Sequence, residues 1–254
     1  MRQQDGEPST SIPDPRTGLI TVCCSSESSS KQSKIYLSRN PIIADYILMM
    51  RDENCPATQF RYNVSELAHL LAYEASGLLD LKRKEITLKL ESGHPAAATM
   101  TDSSEVSVVA PTRSGLVLAA AVQRYFPHAP EGHVVLARRP GGGAPEILHS
   151  RLPRRLTKQV FFVDSTIVTG ATALQLVGAM VAKHGATPHG CFVCIACTIE
   201  GAKNFFARFP NIPIVTGSIS DQIDKETNQM TPGFGEIGDR LYNTDYDLEL
   251  HRDM

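Results

Sequence analysis

The sequence predicts an α/β fold with a mostly parallel central sheet flanked by helices. Three observations carry that reading. Short apolar runs rich in β-branched residues recur at 106–110, 133–137, 160–163, 191–196 and 212–215. Each is too short for a globular helix and suits a buried strand. Between several of them, residues 116–126, the stretch from Ala173 to Gly185, and residues 200–209 carry helical apolar spacing or helix stop signals. Strands separated by helices build a parallel sheet covered on both faces. In such sheets, ligands bind outside the C-terminal strand ends.

The 254 residues are 42% hydrophobic, which is ample for one core with an appendage. A formal net charge of -2 argues against a dedicated nucleic-acid binder, and no nucleic-acid partner is expected. Six cysteines in a chain this long do not make a secreted disulfide scaffold. Residues 1–21 hold acidic residues and prolines without an apolar core, so no signal peptide is expected. No stretch approaches the roughly 20 apolar residues that span a bilayer. A soluble cytoplasmic protein without a membrane partner is the expectation.

Residues 1–33 read as a disordered, low-complexity tail rich in Ser, Pro and Gln, and residues 34–254 as one domain. Asn40 and Pro41 start a helix whose apolar side is Ile42, Ile43, Tyr46, Ile47 and Met50. Cys55-Pro56 ends it. Asn63 and Glu66 give a cap signal for a second helix, which contains Glu74. These two helices read as a cover or an oligomer-forming layer. Ile86, Leu88 and Leu90 alternate as a short strand of a hairpin or arm, and residues 94–104 read as a small-residue loop. The strand at 106–110 leads through a turn containing Arg113 into the helix that starts at Leu116.

The stretch 159–173 organises the chain. The run 160–163 reaches Asp164, then hydroxyls and small residues, then the apolar helix stripe Leu176, Val177, Met180 and Val181. Asp164 should end a strand, and Val168, Thr169, Gly170, Ala171 and Thr172 should turn into a helix closed by Gly185. A helix start leaves N–H groups unpaired and carries positive dipole character, both of which suit a phosphate. The alternative is a plain Thr172 cap and a solvated Asp164. The pattern lacks the Gly-Lys-Ser/Thr end of a P-loop and the three spaced glycines of a dinucleotide fingerprint.

Three other segments stand out. Residues 138–145, with Arg138, Arg139 and three consecutive glycines, followed by Arg151, Arg154, Arg155 and Lys158, are the most basic part of the chain. Such a loop can close over a polyanion, or be ordinary solvated surface. Cys191, Cys194 and Cys197 share a three-residue spacing but read as packed strand cysteines. Gly233, Gly235 and Gly238 make a tight backbone that could present N–H and C=O groups to a flat heterocycle, with Phe234 or Ile237 as apolar support. The alternative there is a structural turn with an Asp239–Arg240 surface pair.

The ending Pro232-Gly233-Phe234-Gly235-Glu236-Ile237-Gly238-Asp239-Arg240-Leu241 resembles the uracil loop of uracil phosphoribosyltransferases. Residues 163–172 resemble that family's phosphoribosyl-diphosphate loop, Arg113-Ser114-Gly115-Leu116 its diphosphate loop, and Arg51-Asp52 with residues 70–75 its N-terminal helices. The resemblance implies a type I phosphoribosyltransferase fold with N-terminal helices, a β-arm and a C-terminal base-recognition region. It implies a pentosyltransferase of pyrimidine salvage, making UMP and diphosphate from uracil and 5-phospho-α-D-ribose 1-diphosphate (PRPP), with Mg²⁺ and a GTP effector. It further implies a homodimer or homotetramer. On this reading residues Val168 to Thr172 hold the 5′-phosphate, Asp164 a ribose hydroxyl, and Arg113 with Arg138 the diphosphate. Gly233, Phe234, Gly235, Glu236, Ile237 and Gly238 read the base, and Asp239 or Glu236 lies near Mg²⁺ or its waters.

The chain departs from the family pattern at several positions. Ala171 replaces a glycine, Ser165 a proline, Glu236 an aspartate and Gln229 a tyrosine. Pro111-Thr112 replaces an aliphatic pair, Leu148-His149 paired tyrosines, and residues 139–143 a more acidic loop. Were Ala171 to need positive φ, it would cost about 1 kcal/mol. The competing expectation is therefore a catalytically weak or inactive homologue that binds nucleotide or PRPP and regulates through a partner.

Overall fold

The structure is a computed structural model of the chain. It describes the backbone of residues 20–23 and, in full, residues 34–137, 144–224, 227 and 229–244. The N-terminal elements are β1 (Ile20–Cys23), β2 (Lys34–Leu37), α1 (Pro41–Arg51), α2 (Ala57–Ser76), β3 (Arg83–Lys89) and β4 (Pro95–Thr101). The middle of the chain contributes β5 (Val106–Thr112), α3 (Leu116–Tyr125), β6 (Glu131–Ala137), β7 (Glu146–Arg151), β8 (Gln159–Ile167) and α4 (Ala171–His184). It closes with β9 (Gly190–Thr198), α5 (Ile199–Arg208), β10 (Ile214–Ser220), β11 (Gln222–Ile223), β12 (Met230–Thr231) and α6 (Ile237–Tyr242).

Among the described residues, eight strands form the main sheet in the order β1-β2-β10-β9-β8-β5-β6-β7. The inner strands from β2 to β6 are parallel, and β1 and β7 pair antiparallel at the two edges. The predicted α/β class and mostly parallel sheet are what the chain adopts. The alternation of β8 and β9 explains the layering. Phe161, Val163, Cys191 and Val193 face a core shared with α1, α2, α3 and α6. Val160, Phe162, Phe192 and Cys194 face a second core shared with α4 and α5. Cys191 and Cys194 thus lie on opposite sheet faces and, with Cys197, are fully buried strand residues.

Several local expectations are corrected. Within the segment expected to be disordered, Ile20–Cys23 forms an edge strand paired with Lys34–Leu37, because the Ile-Thr-Val run finds an open sheet edge. The helix α2 begins at Ala57, after Pro56, and not at Asn63. Asn63 lies buried inside it and accepts from Gln59 Nε2 at 2.7 Å. Part of the expected 94–104 loop is strand β4, alanine-rich but fastened residue by residue to β3 to complete the arm. The strand β7 had almost no sequence signal: as an edge strand it buries little, and only Ile147 packs partly against the core. Most of the basic stretch after it lies away from the C-terminal strand edge. Arg155 pairs with Glu105 at 3.7 Å and Lys158 with Asp80 at 2.8 Å, both beside the first residues of β5 and β8. Among the described residues, no helix is long and apolar enough to cross a membrane.

One ionisable group sits uneasily under this cover. Ser38 Oγ donates to Glu74 Oε1 at 2.9 Å, while Oε2 is buried without a hydrogen-bond partner. Burial pushes the Glu74 carboxyl above its ordinary pKa, and the Ser38 hydrogen bond offsets only part of that. A raised folded pKa means that the neutral form is the one folding prefers. That contribution is complete below the unfolded carboxyl pKa and is lost as pH rises through the raised folded value. Glu74→Gln should therefore gain stability relative to wild type at about pH 7 compared with about pH 4. Urea midpoints at the two pH values measure this, and an equal difference at both would remove the assigned cause.

Candidate active site

The strand β8 runs three residues past Asp164, through Thr166 and Ile167, which pair with Ala196 and Cys197 of β9. Asp164 is therefore a late strand residue, not the terminal one, and it is 5% exposed. Its Oδ1 accepts from Ser114 Oγ at 2.6 Å and from its neighbour's backbone, Ser165 N, at 2.7 Å. The Ser114 contact joins the end of β8 to the turn after β5. Charge-assisted hydrogen bonds of this kind hold a carboxylate in one orientation.

The loop leaving β8 is shaped by α5. Thr198 caps α5, accepting from Gly201 N at 2.9 Å, and its hydroxyl donates to Val168 O. Asn204 Nδ2 donates to Thr169 O at 3.1 Å. Two successive carbonyls are thus turned toward α5. In a trans peptide the N–H points opposite to its C=O. The N–H groups of Thr169 and Gly170 are consequently turned away from α5. Thr169 Oγ1 accepts from Ala171 N at 3.4 Å, and Leu174 N to Gly170 O at 2.9 Å opens the helical ladder of α4. The first N–H groups of that helix have no acceptor within it. Dipole, hydroxyls and N–H groups at one loop are the features that suit an anion.

Gly170, and not Ala171, is the left-handed residue, with φ of 83°. A Cβ there would lie 2.6 Å from Gly201 O. Ala171 is the first residue of α4, a position that suits alanine. The departure at 171 therefore carries no backbone penalty, because the turn is completed one residue earlier. Gly185 closes α4 with φ of 71°, as its position in the sequence predicts.

Arg113 stands where β5 meets α3. Its Nη2 is 3.1 Å from Asp239 Oδ1 and its Nη1 is 3.1 Å from Thr244 Oγ1. Its guanidinium lies 5.6 Å over the Tyr242 ring, and Tyr242 Oη donates to the Arg113 carbonyl at 3.2 Å. The expected Asp239–Arg240 pair is replaced by a division of labour. Asp239 takes Arg113. Arg240 donates to the carbonyls of Met50, Phe234 and Asp52, each at 2.7 Å, with its Cζ 4.1 Å over the Phe60 ring. The glycine loop is thereby fastened to the α1–α2 junction.

Within that loop, Phe234 and Ile237 are 3% and 6% exposed and pack in the core with Leu241. Phe234 and Ile237, expected as apolar support for a flat heterocycle, both anchor the loop from the core side. Gly235 and Glu236 are exposed, and Gly233 and Gly238 are half-buried. Gln229 Nε2 donates to Glu236 Oε1 at 3.0 Å, so two positions that depart from the family pattern are bonded to each other.

Sequence reading places Arg113, Asp164 and the turn after Val215 at the C-terminal strand ends; contacts in the structure link Asp164 to Arg113's turn and Arg113 to Asp239. Arg138 lies outside the described residues. Sequence reading missed Thr198, Gly201 and Asn204, although Thr198 before a helix is a recognisable cap signal. Arg51, singled out in the sequence only as part of the family resemblance, donates to Ser218 Oγ at 3.0 Å and lies 5.5 Å over the Phe234 ring. The N-terminal helices are thus part of the site's support as well as cover. Among the described residues, no three His, Cys, Asp or Glu side chains converge on a metal position. Asp239 is engaged with Arg113 and Thr244, and Glu236 with Gln229. These residues do not build a protein cage for Mg²⁺.

Comparison with known proteins bears on the same segments. The uracil phosphoribosyltransferase family model matches residues 37–244, from the end of β2 through the glycine loop. The chain belongs to this family. Among family members, the uracil phosphoribosyltransferase of Enterococcus faecalis is 28% identical over 212 residues, covering 83% of this chain and 99% of that protein. That of Wolinella succinogenes is 30% identical over 207 residues, covering 81% and 97%. A solved protein structure from Aquifex aeolicus superposes with a TM-score of 0.75 at 25% identity, covering 84% of this chain and 99% of that one. The fold and family are those of phosphoribosyltransferases, and the match spans every segment of the candidate site.

The loop geometry sets a direct test. Gly170→Ala should lower stability by about 1–3 kcal/mol, through left-handed strain and the approach to Gly201. Ala171→Gly should also lose stability, by up to about 1 kcal/mol, because a helical residue gains freedom when unfolded. Urea denaturation of both variants checks the assignment, and a gain for Ala171→Gly would contradict it.

Proposed function

We propose that the chain transfers the phosphoribosyl group of PRPP to uracil, yielding UMP and diphosphate. The observation that carries this reading is the 168–172 loop, whose Val168 and Thr169 carbonyls are tied to α5 while the Thr169 and Gly170 N–H groups turn the other way at the α4 N-terminus, where they suit an anion. Val168, Thr169, Gly170, Ala171 and Thr172 hold the 5′-phosphate. Asp164, fixed by Ser114, lies between that cradle and the Arg113 turn, where it binds a ribose hydroxyl and favours positive charge developing on the sugar. Arg113 neutralises the diphosphate, exchanging its contact with Asp239 for the leaving group, and Arg138 joins it. The backbone of residues 233–238 reads the edge of the base.

In the reaction, uracil N1 forms a bond to the anomeric carbon as the bond from that carbon to the diphosphate oxygen breaks. The N1 proton is lost to solvent or to the departing diphosphate. The step depends on stabilising charge and excluding water more than on a strong base. Asp239 or Glu236 would lie near Mg²⁺ or its waters, and the ion would supply charge neutralisation for the diphosphate.

Purified protein with Mg²⁺, labelled uracil and PRPP should form UMP; absence of UMP with and without GTP would end this reading. Asp164→Asn should slow turnover by about 100-fold or more while leaving ribose 5-phosphate affinity within about threefold. Single-turnover kinetics and calorimetry measure the two quantities, and equal losses in both would contradict the role assigned to Asp164.

A further inference from the structure

A groove of about 350 Å³ opens between α2, α3 and α6. Arg61, Ser65 and His69 form one wall. They are four residues apart along α2 and so share one helix face. Val117 and Ala120 of α3 form an apolar floor, and the Tyr242 ring of α6 closes the end. The groove is open, its volume lies at the lower end for small-molecule pockets, and its lining is mostly apolar with a few polar side chains. The lining holds a guanidinium and no carboxylate.

The groove is joined to Arg113 by contacts already in place. Arg61 Nε donates to Leu241 O at 2.8 Å, so the wall holds the backbone of α6. The next residue, Tyr242, donates through its hydroxyl to the Arg113 carbonyl and lies beneath the Arg113 guanidinium. Asp239, one turn back on α6, takes the other side of that guanidinium. A ligand that engages Arg61 or presses on Tyr242 acts on the short helix that positions Arg113 from two sides.

We propose that this groove is a second binding site, for a small planar aromatic anion, and that filling it repositions Arg113 through α6. The aromatic ring lies on Val117, Ala120 and Tyr242. The anionic group meets the remaining guanidinium N–H groups of Arg61 and the Ser65 hydroxyl. Charge complementarity selects an anion, and the apolar floor selects a ring over a hydrated inorganic ion. The site lies outside the proposed phosphate and base positions, and its test does not depend on base transfer.

Benzoate is the probe, titrated into the full-length chain and followed by heteronuclear NMR. Saturable shifts are expected at the Ser65 and Ala120 amides and at the Arg113 side-chain N–H. Arg61→Gln should weaken binding at least about tenfold. Because Arg61 also holds Leu241, a second variant is needed. Ala120 is exposed, so Ala120→Phe fills the groove without displacing the core and should abolish the shifts at Ser65 with Arg61 intact. Absence of saturable shifts in the groove, or unchanged benzoate affinity in Ala120→Phe, would overturn the site. Saturation at Ser65 with an unmoved Arg113 signal would overturn the coupling.

Discussion

The anchoring of two carbonyls, Val168 and Thr169, on the first turns of α5 is the constraint on which the site depends. A loop between a strand and a helix has many ways to turn. Once Thr198 and Asn204 hold those oxygens, peptide planarity decides where the following N–H groups point. Gly170 then completes the turn in a left-handed conformation, tight against Gly201. The tether is only as firm as α5 itself. That helix is held by Phe205, fully buried and edge-on to Phe192 of β9 at 5.5 Å. The shape of this loop is therefore an outcome of packing on the sheet's far face, and not of loop composition alone.

Arginines perform the corresponding task on the near face. Arg240 satisfies three carbonyls from two separated segments and covers Phe60. Arg51 bridges β10 and the glycine loop. A planar guanidinium with five donors can do this where a lysine cannot. Arg113 differs from both. Its side chain is 46% exposed, and an ion pair that open is worth little to folding. In the proposed function, the contact with Asp239 is one that Arg113 exchanges for an anionic group.

The departures from the family pattern separate into kinds once they are placed. Ala171 occupies the first position of α4, where its methyl group is harmless. Glu236 and Gln229 meet each other, so the longer acid is matched by an amide that can donate to it. Neither compensation is visible from spacing. The first depends on which of two adjacent residues takes the positive φ. The second joins residues on either side of a strand and a tight turn.

Much was legible in the chain itself. The period of its apolar residues determined the alternation of strands and helices, because a strand buried on two faces and a helix buried on one carry different repeats. Asp164 before a helix entrance, Gly185 at its exit and the glycine loop marked the site, because special backbone geometry demands special residues. Edge elements such as β4 and β7 were illegible, since they bury too little to need a pattern and exist only through their partners. The partners of Arg113, Asp239, Arg240 and Arg51 were likewise decided by the tertiary structure alone. A charged side chain can pair with any complementary group its fold brings within reach, and reach is a property of packing. The sequence by itself determined which chemistry was available and roughly where along the chain it lay; only the folded sheet and its two helical layers decided which groups would meet.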